Sequence, residues 1–151
     1  MNNPLVSVII PTYNRQDTLP GCIKSVLDQS YKNTEVIVVD DASTDGTQEL
    51  FETGNFPKIK YFRYNENKGA CYARNYGVQR AKGEIIAFQD SDDIWHSDKL
   101  EKQIELLFKT NSDMCFCGIN RVSHEKSAYY FPVHDFDPNS GLEQILAENR
   151  A

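Results

Sequence analysis

Residues 84–95 read Glu84-Ile85-Ile86-Ala87-Phe88-Gln89-Asp90-Ser91-Asp92-Asp93-Ile94-Trp95, an apolar run that ends in three carboxylates within four positions. A short apolar run bounded by Gly83 and a polar cluster predicts a buried strand, so the acids lie where the chain leaves the sheet. Like charges this close repel each other unless a cation binds between them. Mg²⁺ and Mn²⁺ bind one or two carboxylates and keep coordination positions open for phosphate oxygens. The segment therefore predicts either a divalent metal site or a solvated acidic turn.

Composition limits the class of protein. The chain has 151 residues, the length of one domain, and its hydrophobic content of 40% and charged content of 25% are those of a globular protein. The net charge of −6 argues against a nucleic-acid-binding protein, because such proteins carry basic patches. No apolar run approaches the roughly 20 residues of a membrane helix, and no signal peptide is visible after Met1. We therefore expect a cytoplasmic protein, free or peripheral to the inner face of the membrane, whose oligomeric state stays open.

Apolar β-branched segments alternate with amphipathic segments along the chain. The predicted strands are Val6–Ile10 (ended by Pro11), Glu35–Asp40, Ile59–Tyr64, the opening apolar run, Met114–Ile119 and a short edge strand, Ala128–Phe131. Five helices are predicted. The first has its N-cap at Asp17 and ends before Ser30, the second runs from Ser43 or Thr44 to about Thr53, and the third covers Ala70–Ala81. The fourth runs from Ser97 or Asp98 through Phe108, and the last, after a loop at residues 135–140, includes Leu142, Ile145 and Leu146. The helix over Ala70–Ala81 carries small residues on one side, which favours close packing on a sheet.

This alternation predicts an α/β fold, with a mostly parallel sheet and helices on both faces. Right-handed crossovers carry strands 1, 2 and 3 outward in one direction, and the fourth strand then returns to the other side of strand 1. The resulting order 3-2-1-4, extended by edge strands, has a switch point between strands 1 and 4, where ligands of such sheets bind. Thr12-Tyr13-Asn14 and Asp90-Ser91-Asp92 meet there, with Asp40-Asp41 one strand away. We expect these three polar clusters to line one crevice.

Six blocks of sequence resemble, in order, the nucleotide-sugar domain of family 2 glycosyltransferases, which have the Rossmann-like GT-A fold. The blocks are Val-Ser-Val-Ile-Ile-Pro-Thr-Tyr-Asn-Arg (6–15), Val-Leu-Asp-Gln-Ser-Tyr (26–31), Val-Val-Asp-Asp-Ala-Ser-Thr-Asp-Gly-Thr (38–47), Asn-Lys-Gly (67–69), Ala-Arg-Asn-Tyr-Gly (73–77) and Phe-Gln-Asp-Ser-Asp-Asp (88–93). The resemblance covers about residues 4–120 and is specific because all six blocks occur in order.

The resemblance implies a role for each matched position. It places Tyr13 against the nucleotide base, Asp41 as the acceptor for the ring N–H of uracil, and Arg74 facing the nucleotide. Asp92 is implied to coordinate a Mn²⁺ or Mg²⁺ that bridges the diphosphate, and Asp90 to hold the ribose or the metal. The implied substrate-binding residues are Pro11, Thr12, Tyr13, Asn14, Arg15, Asp41, Lys68, Gly69, Arg74, Asp90 and Ser91, and the implied metal ligands are Asp90 and Asp92.

Neighbouring polar residues have simpler interpretations. Asp40 precedes a tight turn and is expected to bond its own backbone, and Asp45 is expected to complement the dipole of a helix N-terminus. Two roles stay open for Asp93, either leading into a helix or supporting the metal ligands. Trp95 is expected to pack beneath the acidic loop, and His96 to be a solvated loop histidine.

The implied function is transfer of a sugar from a nucleoside diphosphate sugar, with UDP favoured, to a hydroxyl of a glycan or lipid-linked acceptor, as in cell-surface polysaccharide synthesis. The resemblance also implies inversion at the anomeric carbon and dependence on Mn²⁺ or Mg²⁺. Such a displacement needs a general base, and no residue is assigned to that role because the family places it beyond the matched region. We therefore expect residues 1–151 to form a single GT-A domain, the donor-binding part of a longer enzyme truncated before its acceptor-binding half.

Two alternatives use the same residues differently. The first is a non-catalytic fragment that binds a sugar nucleotide and a metal. The second, a phosphotransfer domain, is disfavoured by two positions. A haloacid-dehalogenase-type phosphatase needs Thr where Ile94 stands, and a response-regulator receiver needs an acidic pair where residues 11–14 read Pro-Thr-Tyr-Asn.

Overall fold

The computed structural model describes residues 3–122 and 127–130, which belong to two compact units, Met1–Glu105 and Leu106–Ala151. The elements in chain order are β1 Val6–Thr12, α1 Leu19–Leu27, β2 Thr34–Asp40, α2 Glu49–Glu52, β3 Ile59–Arg63, α3 Ala70–Val78, β4 Ile85–Phe88, α4 Lys99–Thr110, β5 Ile119–Val122 and β6 Ser127–Tyr130. The predicted loop at residues 135–140 and the predicted helix around Leu142, Ile145 and Leu146 lie outside the described residues.

The strands β3, β2, β1 and β4 form a parallel sheet in that order, which confirms the predicted 3-2-1-4 arrangement. β1 lies inside the sheet, with Val8 beside Val36 of β2 on one side and Ala87 of β4 on the other. The pairing with β4 ends at Ile9, whereas the pairing with β2 continues to Thr12. β1 and β4 therefore part at their carboxyl ends, which is the predicted switch point.

Pro11 does not end β1, contrary to the prediction. The Ile9 carbonyl accepts the N–H of Gln89 on the β4 side, and the Thr12 carbonyl accepts the N–H of Asp41 on the β2 side. Backbone groups along a strand point alternately to its two sides, so the missing N–H of Pro11 falls on the β4 side, beyond the last residue pair. The proline removes no hydrogen bond from the ladder, and β1 continues to Thr12.

Helices cover both faces of the sheet, as predicted. One face joins β1 to α1 and the start of α4, with Val8, Leu19 and Ile23 among its fully buried side chains. The other face joins β2 to α3 through Val39 and Ala73, which are also fully buried. Because β1 and β2 are covered on both faces, their sequences are nearly continuous apolar runs rather than alternating ones.

Two predicted strands differ from the structure. The prediction of a buried β4 is wrong, because Phe88 is 49% exposed and, among the described residues, only β1 pairs with β4. β5 begins at Ile119 rather than Met114, and it pairs antiparallel with β6 in a sheet of its own. Residues 114–118 pair with no described strand, and Met114 is 66% exposed, so an apolar composition alone does not make this stretch a strand.

Helix boundaries differ from the predicted ones by a few residues. α1 begins two residues after Asp17, and α3 ends at Val78 instead of Ala81. α2 begins only at Glu49, whereas residues 43–44 were natural N-cap candidates. The polar groups of that loop are instead engaged with the loop that follows β1, as described below.

α3 lies close to the sheet at Gly77, as its small residues predict. A Cβ atom at Gly77 would lie 2.5 Å from Cγ2 of Ile9 and 3.4 Å from Cγ2 of Val39. Ile9 and Val39 are both fully buried, so neither can move aside without disturbing the sheet. This close approach sets the position of α3, which carries Arg74.

We predict that Gly77→Ala destabilises the protein. The added methyl overpacks the contact with Ile9 at a cost of roughly 1–3 kcal/mol, which outweighs the gain of about 1 kcal/mol in helix propensity. Urea unfolding measures the difference. The matched control is Asn75→Ala on the exposed side of the same helix, where alanine replaces a larger side chain and the free energy of unfolding stays equal or rises. Equal stability of the two variants would show that α3 does not depend on this close approach.

Candidate functional site

A crevice of about 480 Å³ opens at the carboxyl ends of β1 and β4. Its lining consists of Pro11, Thr12, Tyr13, Asn14, Arg15, Asp41, Ala70, Ala73, Arg74, Asp90, Ser91 and Asp92. The structure thus brings the loop after β1, the loop after β2 and the acidic loop together, as the strand order predicts. Asp40 is the exception, because it is fully buried and does not line the crevice. Lys68 and Gly69 are also absent from the lining, although both contact Asp41.

Two arginine–aspartate pairs lie in the crevice. Nη2 of Arg74 lies 2.6 Å from Oδ1 of Asp90, and Nη2 of Arg15 lies 3.2 Å from Oδ2 of Asp92. The four side chains are between 32% and 55% exposed, so they are open to a ligand. The crevice therefore presents two cations and two anions in contact, a set that can bind both a phosphate and a divalent metal.

The acidic loop rests on α1. The Cys22 thiol donates to the carbonyl of Asp90 at 3.4 Å, and burial raises the pKa of this thiol to about 11, so it keeps its proton. Within the loop, the N–H of Asp93 donates to the same carbonyl, and the side chain of Gln89 donates to the carbonyl of Asp93. These bonds fix the backbone that carries the Asp90 and Asp92 side chains.

Asp41 is a buried carboxylate in the crevice lining that fastens the backbone just before α3. Its two oxygens accept the backbone N–H groups of Lys68 and Gly69, each at 2.7 Å. Gly69 has a φ of 86°, which explains why a glycine stands there. Each carboxylate oxygen retains a lone pair, so Asp41 can accept one more hydrogen bond from the crevice. Burial, followed by the nearby Asp41 carboxylate, raises the pKa of the Tyr64 hydroxyl above its usual range.

A buried hydroxyl in the crevice wall is without a partner. Thr12 is 3% exposed, and its Oγ1 makes no hydrogen bond to any of the described residues. Buried polar groups are nearly always bonded to protein, water or ligand, so this hydroxyl is a candidate contact for a molecule bound in the crevice. Tyr13, next in the chain, is 44% exposed and presents its ring at the same wall.

The loops after β1 and β2 are joined by hydrogen bonds centred on Asn14. Its Oδ1 accepts the N–H of Thr44 at 2.7 Å, and its own N–H donates to Oγ of Ser43 at 2.9 Å. Asn14 has a φ of 53°, a conformation that asparagine tolerates better than most residues. The N–H of Arg15 donates to Oγ1 of Thr47, so the arginine that pairs with Asp92 is also held by this network.

Two predicted roles of aspartates have different outcomes. Asp40 bonds its own turn as predicted, because its Oδ1 accepts the N–H of Ser43 at 2.8 Å. The predicted helix-dipole role of Asp45 is wrong, because α2 starts four residues later. Its two oxygens instead accept the N–H groups of Gln16 and Thr47, which adds to the junction between the loops.

The remaining residues near the acids do not line the crevice. Burial, followed by the charges of Asp92 and Asp90, raises the pKa of Asp93. Trp95 is 9% exposed and packs in the core beneath the loop, as predicted, and His96 is exposed. Asp93, Trp95 and His96 are thus neighbours of the crevice rather than part of its lining.

The donor set fits a hard divalent cation that also has a phosphate ligand. Within residues 3–122 and 127–130, no three His, Cys, Asp or Glu side chains are close enough to hold a metal by themselves. Asp90 and Asp92 offer carboxylate oxygens at the rim of the crevice. One or two carboxylates are what Mg²⁺ sites of phosphate-binding proteins use, with substrate oxygens and water filling the other positions.

The family model for glycosyl transferase family 2 matches residues 7–148. The chain belongs to glycosyltransferase family 2. This match confirms the resemblance seen in the six sequence blocks, and it extends past residue 120, where no block could be placed. The order of the parallel strands and the position of the crevice are consistent with membership of this family.

Curated glycosyltransferases are similar to the chain over most of its length. A putative teichuronic acid biosynthesis glycosyltransferase, TuaG of Bacillus subtilis, is 43% identical over 124 residues, which are 81% of this chain and 49% of TuaG. WfgD of Escherichia coli is 44% identical over 111 residues, 74% of this chain and 44% of WfgD, and its name gives a UDP-glucose donor and a diphosphoundecaprenol-linked acceptor. The chain therefore spans about half the length of these relatives.

Solved structures confirm the predicted GT-A fold. Residues 1–349 of TarS from S. aureus in complex with UDP superpose with a TM-score of 0.65 at 32% identity, over 72% of this chain and 33% of that one. The mannosyltransferase PcManGT of Pyrobaculum calidifontis, in complex with GDP-mannose and Mn²⁺, gives a TM-score of 0.62 at 32% identity, over 69% of this chain and 32% of its own.

Sequence reasoning missed Gln29, which ties the acidic loop to two helices. It is fully buried, its Nε2 donates to the carbonyls of Ser25 and His96, and its Oε1 accepts the N–H of Leu100. A single Gln after an amphipathic helix carries no periodic signal. Its membership of the block at residues 26–31 is the one feature of the sequence that marks it.

We predict that Asn14→Ala loosens the crevice and lowers stability. The alanine removes the bond to Thr44 and tolerates positive φ less well than asparagine, together costing roughly 1–3 kcal/mol. Chemical denaturation measures the loss. Asn14→Asp is the matched control, because Asp keeps an acceptor oxygen and tolerates the same φ, so its loss is smaller. If the two variants unfold at the same denaturant concentration, the side chain of Asn14 does not join the loops.

Proposed function

We propose that the crevice binds the nucleotide and diphosphate of a UDP-sugar, and that the chain is the donor-binding part of a glycosyltransferase acting on an acceptor hydroxyl. The observation that carries the proposal is the meeting of Arg15, Arg74, Asp90 and Asp92 beside buried Asp41 at the switch point. Family membership and the UDP complex of TarS support it.

Each residue of the crevice has a role in this proposal. Tyr13 stacks on the base, since its half-exposed ring lines the wall beside Asp41. Asp41 accepts the N3–H of uracil with a lone pair that the backbone N–H groups of Lys68 and Gly69 leave free. The unpartnered hydroxyl of Thr12 bonds the nucleoside, and Arg74 with Arg15 binds the diphosphate.

The proposed metal ligands are Asp92 and Asp90. A Mn²⁺ or Mg²⁺ held there would neutralise the charge that builds on the diphosphate as the glycosidic bond breaks. The PcManGT complex with Mn²⁺ supports a divalent metal for this fold. Arg15 and Arg74 supply further positive charge to the leaving diphosphate, and the loops after β1 and β4 and the helix α3 set the orientation of these four groups.

The proposed reaction is a displacement with inversion. A bond forms between the acceptor oxygen and the anomeric carbon, the bond from that carbon to the phosphate oxygen breaks, and its electron pair leaves with the diphosphate. The acceptor proton passes to a general base, a role that we assign to none of the described residues. The name of WfgD supports a lipid-linked acceptor and hence a reaction at a membrane surface. In the described part of the chain no helix is long and apolar enough to cross a membrane.

UDP binding is predicted to depend on a divalent metal and on Asp92. Isothermal titration calorimetry should show UDP bound at least about tenfold more tightly in Mn²⁺ than in EDTA, because the metal joins the diphosphate to the carboxylate. Asp92→Asn removes this difference. The matched control is Asp28→Asn, which removes an exposed acid from the end of α1 and leaves the metal effect unchanged. Equal UDP affinity in the two buffers for the unsubstituted chain would refute metal-dependent binding.

The base site is predicted to prefer uracil to cytosine. Uracil N3–H donates to the carboxylate of Asp41, whereas cytosine presents an acceptor at the same position and leaves Asp41 facing it unpaired. We expect CDP to bind more weakly than UDP by about 1–3 kcal/mol in competition experiments. The ratio of the two affinities falls in Asp41→Asn, a readout that a general loss of folding does not change. CDP or GDP displacing UDP at equal concentration would show that Asp41 does not select the base.

A further inference from the structure

The arginines of the crevice bond the same two carboxylates that we assign to the metal. The Arg74–Asp90 contact is 2.6 Å and the Arg15–Asp92 contact is 3.2 Å. The partners are 16 and 77 residues apart in sequence, so neither pair is a local helix contact. The fold itself, by joining β1, α3 and the acidic loop, places each guanidinium on one of the acids.

A guanidinium on a carboxylate opposes a divalent cation in two ways. It engages lone pairs that the cation needs, and it carries charge of the same sign close to the metal position. A bare cation that approaches Asp90 and Asp92 must therefore move both arginines into water or bind beside two positive groups. Either route weakens its binding.

A diphosphate changes this balance, because its oxygens bind guanidinium groups at least as well as a carboxylate does. The side chains of Arg15 and Arg74 are 44% and 32% exposed, so they can reorient without unpacking the core. Exposed ion pairs contribute little to stability, so the exchange of carboxylate for phosphate costs little. With the arginines on the diphosphate, Asp90 and Asp92 are free to bind the cation.

We propose that Arg15 and Arg74 guard Asp92 and Asp90 against a bare divalent cation, and that the diphosphate of the nucleotide releases the carboxylates by binding the guanidinium groups. The inference rests on the proposed function, since it assigns the order in which that site fills. Metal and nucleotide then bind with positive coupling, each raising the affinity of the other by the same factor.

The test measures Mn²⁺ binding by the disappearance of the electron paramagnetic resonance signal of free Mn²⁺, without nucleotide and with UDP. The proteins are the 151-residue chain and its Arg15→Gln, Arg74→Gln and Arg80→Gln variants. Arg80 is the matched control, because it loses the same charge but stacks on Tyr76, with its guanidinium carbon 3.3 Å from the ring centroid, and does not line the crevice. Thermal unfolding verifies that all four proteins are folded.

Without nucleotide, Arg15→Gln and Arg74→Gln should bind Mn²⁺ roughly 2- to 5-fold more tightly than the unsubstituted chain, the factor expected for loss of an exposed ion pair. Arg80→Gln should match the unsubstituted chain, and UDP in the presence of Mn²⁺ should bind more weakly to the two crevice variants. Crevice variants that bind bare Mn²⁺ no more tightly than Arg80→Gln would overturn the inference alone. Failure of the unsubstituted chain to bind UDP with Mn²⁺ would instead overturn the proposed function.

Discussion

β1 pairs with two parallel neighbours, and its ladder to β2 is longer than its ladder to β4. The whole crevice depends on this difference. The ladder to β2 runs to Thr12, whereas the ladder to β4 stops at Ile9. The chain that leaves β1 therefore turns toward the β2 side, where Asn14 and Arg15 bond the loop after β2. The chain that leaves β4 turns away to form the acidic loop. The crevice is the opening between the segments that follow β1 and β4.

The proposed diphosphate site lies in a chain of net charge −6, so its local charges decide whether an anion can bind there. Two arginines and three aspartates line the crevice, and Arg15 and Arg74 balance Asp92 and Asp90 in direct contact. Asp41 is buried and engaged by two backbone N–H groups, which are the partial positive charges that a buried carboxylate needs. Most of the chain's net charge of −6 therefore lies outside the crevice lining.

Much of the site could be predicted from sequence, because strand order follows from chain handedness and the polar clusters sit at strand ends. Pro11 was misjudged since the cost of a missing N–H depends on whether a partner strand reaches it, which composition does not reveal. The bonds of Asn14 and Asp45 were missed because each joins a side-chain oxygen to a backbone N–H about 30 residues away, through loop geometry. The sequence likewise does not predict the ion pair between Arg15 and Asp92, because this pair depends on where two loops meet.

The most direct measurement is a crystal structure of the chain grown with UDP and Mn²⁺, with anomalous diffraction recorded at the manganese edge. The account predicts a single strong anomalous peak in contact with the carboxylate of Asp92, the uracil ring against Tyr13, and both Arg15 and Arg74 turned onto the diphosphate. Nucleotide density outside the crevice, or a manganese peak away from Asp90 and Asp92, would contradict it.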